Sequence, residues 1–161
     1  MSARPFLLLA LLAVPLASCD VLDEIQQAEP VPLSISSIRI VGLPEAPNRT
    51  TEWDDDGTGP DVFVEIQNPA ASSVARSEVL PDVDLSQPLT LTFPGAIEAP
   101  SATAPLTLVV FDADGANRQY AEKLGSSDTF TAQDLEASGG SLVLGDDRAE
   151  YGRATTYELL Q

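Results

Sequence analysis

The chain has 161 residues, with 25 Asp and Glu against 8 Lys and Arg, one cysteine and no histidine. That length fits one domain with an N-terminal addition, large enough for a hydrophobic core without disulfide staples. The counts exclude disulfide bonding and His/Cys zinc sites, and so acidic a chain offers no basic face to nucleic acid phosphates or to anionic lipid.

Arg4 is a short basic region, and residues 6–16, FLLLALLAVPL, form an apolar run too short to span a bilayer as a mature helix. Leu16-Ala17-Ser18-Cys19 follows. Small residues before a cysteine at this point resemble the lipobox of bacterial lipoproteins. The only cysteine of the chain occupies the one position that motif needs. The resemblance implies cleavage before Cys19 and lipid attachment to it. An ordinary signal peptide beside a chance cysteine is the plainer alternative. Several acyl chains anchor a protein stably where one does so marginally, so a lipidated Cys19 ties the domain to a membrane of a bacterial cell envelope. Asp20, Asp23 and Glu24 stand where some bacteria read acids as sorting signals, which leaves the inner membrane and the cell surface both open. Removal of residues 1–18 takes Arg4 and no acid, leaving 25 acids, 7 bases and a net charge of −18. Lys123 is the only lysine. An acidic, lysine-poor surface often accompanies life in high salt, where charge keeps a protein soluble.

Residues 20–32 read as a polar tether carrying Pro30 and Pro32. The chain then divides into a signal peptide (1–18), a lipidated cysteine with its tether (19–33) and a folded domain (34–161). Residues 34–41 alternate as a strand, with Ile38 and Ile40 on one face and Arg39 on the other. A loop containing Trp53 and the acids Asp54, Asp55, Asp56 and Asp61 follows. Val62, Val64 and Ile66 form the inner face of the next strand, with Phe63 and Glu65 outward. Residues 74–80 are a weaker strand and 82–88 a turn-rich connection. Leu89, Leu91 and Phe93 point inward from a strand with threonines outside. Residues 94–105 read as loop. Residues 106–111 are the most apolar strand, predicted to be central. Thr131 to Asp134 fits a capping box that starts one or two helical turns ending near Gly139. Residues 141–144 and 155–160 form a last antiparallel pair around an acidic turn. Seven to eight short strands with Pro and Gly turns and almost no helix predict an all-β, antiparallel β-sandwich.

Two acid loops stand out. Asp55 precedes Asp61 by six residues, and Asp61 lies directly before a strand. Asp112 and Asp114 end the most apolar strand, and Glu122 follows just before Leu124-Gly125. Residues two apart in an extended chain share a face, so Asp112 and Asp114 point the same way. Two like charges at about 4 Å repel by roughly 4 kcal/mol at an effective dielectric of 20, which a cation or wide solvent relieves. The pattern resembles the C2 domain, a β-sandwich that holds calcium between loops at one end. In that family an acid precedes a second acid by six residues, before a strand like Val62-Phe63-Val64-Glu65-Ile66. A later strand ends in Asp-x-Asp, as Asp112-Ala113-Asp114 does, and leads to an acid-x-hydrophobic-Gly, as in Glu122-Lys123-Leu124-Gly125. The chain departs from the pattern at Val62, where Pro is usual, at Phe63, where Tyr is usual, and at Glu122, where Asp is usual. The loop before Glu122 is also about two residues longer than in the family. The resemblance implies calcium ligands Asp55, Asp61, Asp112, Asp114 and Glu122, with Asp54 or Asp56 as spares.

Calcium takes about six to eight oxygens in tolerant geometry, which suits carboxylates from two loops. The EF-hand does not fit, since the glycine of Asp112-Ala113-Asp114-Gly115 arrives two positions early. A solvated acidic rim is the plainer reading of the same residues. Arg118, in the second loop, matches an Arg with which some C2 relatives meet lipid phosphate, or is an ordinary exposed Arg. The expected function is a lipid-anchored, calcium-binding module that docks a membrane surface or a protein partner. The alternative is a structural or adhesive sandwich lipoprotein without metal. With no histidine, the one cysteine spent on lipid and no Gly-x-Ser-x-Gly or phosphate loop, an enzyme is not expected.

Overall fold

A computed structural model describes residues 29–43, 58–113, 121–146 and 155–161. It contains ten strands and one short helix among these residues. Strands β2 (Ser37–Val41), β5 (Leu89–Thr92), β9 (Ser141–Leu144) and β10 (Thr156–Leu160) form one antiparallel sheet in the order β5-β2-β10-β9. Strands β3 (Val62–Gln67), β4 (Ser73–Arg76), β7 (Thr107–Asp112) and β8 (Glu122–Ser126) form a second in the order β4-β3-β7-β8. The fold is therefore an antiparallel β-sandwich, as the strand pattern predicts.

Alternation of side chains explains the core. Ile38, Ile40, Leu89, Leu91, Tyr157 and Leu159 of the first sheet are buried against Val62, Val64, Ile66, Leu108 and Val110 of the second. Phe63 faces outward yet is only 1% exposed. Phe111, paired with it across the strands, stacks on it at 5.2 Å, and the Arg76 guanidinium lies 3.7 Å above its ring. Glu65 holds the same Arg76 at 3.4 Å.

Three elements differ from expectation. Val31–Leu33, placed in the tether by the sequence, forms β1 and pairs with β6 (Ile97–Ala99), inside the stretch read as loop. Leu33, Ile97 and Ala99 are buried, so this small ribbon belongs to the core. Glu122–Ser126, which carries the acid-x-hydrophobic-Gly motif and to which the sequence assigns no strand, is an edge strand. The expected strand at 74–80 stops at Arg76, and Leu80 makes an isolated bridge to Val62. The helix α1 (Ala132–Ala137) does start at the capping box: Thr131 Oγ1 accepts the Asp134 N–H and Asp134 Oδ2 accepts the Thr131 N–H.

Candidate functional site

Strand pairing brings the two acid stretches together. β3 and β7 run antiparallel with Val62 opposite Asp112, so the start of one strand meets the end of the other. Asp61, directly before Val62, donates its N–H to Asp112 Oδ1 at 3.0 Å. Ala113 returns its N–H to the Asp61 carbonyl at 2.8 Å. Glu122 opens β8 directly across from Asp112 and is exposed. Asp61, Asp112 and Glu122 thus lie at one end of one sheet.

Asp112 shares its face of β7 with Leu108 and Val110 and is 1% exposed. An inward carboxylate at a strand end closes the core with a polar group, and it accepts a backbone N–H there rather than standing in apolar surroundings. Asp61 is held in turn: its Oδ1 accepts the Asp82 N–H at 3.0 Å. Asp82 sits at φ 49°, in the left-handed region that Asp tolerates better than most residues. The Val83 N–H bonds the Pro60 carbonyl at 3.0 Å. A side chain at Gly59 would run into the Val83 carbonyl, so only glycine lets these two turns touch. The sequence predicts a turn-rich connection at residues 82–88 but not this contact. Pro81-Asp82 was the available signal, a turn dipeptide whose second residue tolerates positive φ.

Of the expected ligands, Asp61 and Asp112 are brought into contact, and Glu122 stands opposite Asp112 at the same sheet end. Asp55, Asp114 and the spares Asp54 and Asp56 lie outside the described residues, as do Cys19, Trp53 and Arg118. Among the described residues no group of three acids is close enough to hold an ion. The carboxylates present do have acceptor capacity: a carboxylate offers about four lone-pair sites, and Asp61 Oδ1 spends one on the Asp82 N–H. A cavity of about 340 Å³ lies elsewhere, bordered by Val31, Leu33, Leu135, Glu136 and Gln161, and none of Asp61, Asp112 or Glu122 lines it.

No family model matches the chain, and no curated protein matches it. Among solved structures, one described as the structure of a C2 domain is similar over 78% of this chain and 91% of that one, with a TM-score of 0.46 and 15% identity. At that level the likeness says nothing of ligand or partner, and the sandwich stands on the strand pairing of the chain itself.

Proposed function

We propose that the protein is a lipid-anchored module of a bacterial cell envelope whose sandwich end binds calcium through Asp61, Asp112 and Glu122, joined by Asp55 and Asp114. The observation that supports this reading most is the meeting of Asp61 and Asp112, 51 residues apart in sequence, across a 3.0 Å hydrogen bond. Asp114 follows Ala113 directly in the sequence, and Asp55 stands six residues before Asp61. The ion supplies charge neutralisation and a bridge to anionic oxygens of a lipid or protein. The residues of the chain supply hard carboxylate oxygens, which calcium prefers. Cys19 supplies the membrane anchor through its lipid.

A second reading has its own support. Asp61 and Asp112 each accept a backbone N–H, so both have a structural use without any ion. In that case the protein is a metal-free structural or adhesive lipoprotein. Alanine at Asp112 does not separate the two, because it strips an acceptor from the Asp61 N–H and costs about 1–3 kcal/mol either way. Asp112→Asn keeps the acceptor and removes the charge. Calorimetric titration of the wild type with calcium should give binding in the roughly 10⁻⁴–10⁻³ M range of extracellular modules. The Asp112→Asn variant should lose it while melting within about 1 kcal/mol of the calcium-free wild type. A wild type that takes up no calcium leaves the metal-free reading.

A further inference from the structure

We infer that the cavity between β1 and α1 is a binding site for a compact organic cation, an alkylammonium with a short branched apolar body. The inference is independent of the calcium reading and of any anchor at Cys19. Leu106, just before β7, bridges Phe130, which leads into Thr131 and α1, whereas Asp112 ends β7. The cavity and the acids therefore stand at opposite ends of that strand.

Four stretches of chain wall the cavity, and hydrogen bonds tie them to one another. β1 pairs with β6 and packs against α1. The Gln133 N–H donates to the Ala102 carbonyl at 3.0 Å, which ties α1 to the turn after β6. The Gln161 side chain donates to the Leu135 carbonyl at 2.8 Å, and the Ser36 N–H donates to the Leu160 carbonyl at 2.8 Å, so the end of β10 is fixed against α1 and against the chain leaving β1. Walls pinned in this way are formed before a ligand arrives, which spares the cost of ordering them on binding. Leu33 and Leu135, 5% and 2% exposed, lie at the back of the cavity, with Val31 and Ala132 beside them. Its volume of about 340 Å³ suits a small molecule with an apolar body.

The lining selects the sign of the ligand. Glu136 is the only Asp, Glu, Lys or Arg that borders the cavity. The N–H groups at the head of α1, which would otherwise suit an anion, are spent: Gln133 on the Ala102 carbonyl, Asp134 on Thr131 Oγ1 and Leu135 on the Thr131 carbonyl. An anion would meet a carboxylate and no charged donor. An ammonium meets Glu136, with the amide oxygens of Gln133 and Gln161 as further acceptors. The net charge of −17 on the chain draws cations of every kind toward its surface. The apolar walls then favour an organic cation over a hydrated inorganic one, because only the former has carbon surface to remove from water.

Three probes with one branched carbon body test this: isopentylamine, isopentanol and isovalerate, which are positive, neutral and negative near neutral pH. Each is titrated into the isotope-labelled full chain and followed by NMR. The amine should bind several-fold tighter than the alcohol, the modest margin of an exposed charge pair, and isovalerate should bind weakest. The shifted resonances should be those of Val31, Leu33, Ala132 and Leu135. Glu136→Gln should lower the amine to the level of the alcohol and leave the alcohol unchanged. Glu136 is exposed, so this variant should melt with the wild type. Ala102→Leu, a larger side chain at an exposed position on the rim, should abolish binding of both. Equal affinity for the three probes overturns the inference, as does an amine preference that survives Glu136→Gln. Shifts centred on Asp61 and Asp112, or no saturable shift with any probe, overturn it too.

Discussion

Asp112 takes the last inward position of β7 and turns the end of an apolar strand into an acceptor for the next loop. The bond to the Asp61 N–H and the further bond from Asp82 to Asp61 form a short relay from core edge to surface turn. Farther along the same connection, Asp84 shows the effect of such bonds on titration. The Ser86 side chain and then the Ser86 N–H, 2.9 Å from Asp84 Oδ1, hold this carboxyl below its ordinary value of 3.8. A lowered folded-state value means the ionised form stabilises the fold above the unfolded value and that this contribution disappears as pH falls through the folded one. Asp84 is fully exposed, so the effect is small. The stability difference between wild type and Asp84→Asn should stay flat above pH 3.8 and shrink below it. Denaturant titrations across that window measure it, and a difference that ignores pH contradicts the assignment.

Strands β3, β5, β7 and β10 were legible because each alternates cleanly or runs apolar, and the helix was legible from Thr131 and Asp134. The missed strands lack such signals. β1 is three residues long with Pro32 at its centre, β6 is three residues bounded by Gly95 and Pro100, and β8 carries one apolar side chain, Leu124. A register shift between Val110 and Phe111 breaks the period that would have revealed β8. Gly125 shows what that strand must accommodate. A Cβ there would stand 2.7 Å from the Tyr157 hydroxyl, a group inside the core. Gly125→Ala should destabilise by about 1–3 kcal/mol through overpacking. Adding Tyr157→Phe should recover part of that loss, and the two changes should be non-additive in a double-mutant cycle. Strict additivity would mean that the two side chains do not meet.

At the level of the fold, the sandwich separates an entry end, where β1 and α1 gather, from an acid end, where β3, β7 and β8 meet. The order of the acids along the chain was enough to place Asp61 and Asp112 at one end, because an antiparallel pair joins the start of one strand to the end of the other. The hold that Asp82 exerts on Asp61 was not legible: it runs through a backbone N–H in a left-handed turn and leaves no mark in composition. The proposed anchor at Cys19, by contrast, rests on sequence alone. Calcium that binds only the folded chain must raise its stability by mass action. At about 10 mM calcium and a dissociation constant near 10⁻⁴–10⁻³ M, the gain is about 1.4–2.7 kcal/mol, or several degrees of melting temperature. The full chain should therefore melt several degrees higher in 10 mM calcium than in EGTA, and the same concentration of magnesium should reproduce little of the shift. An identical midpoint in calcium and in EGTA would contradict the calcium reading of Asp61, Asp112 and Glu122 outright.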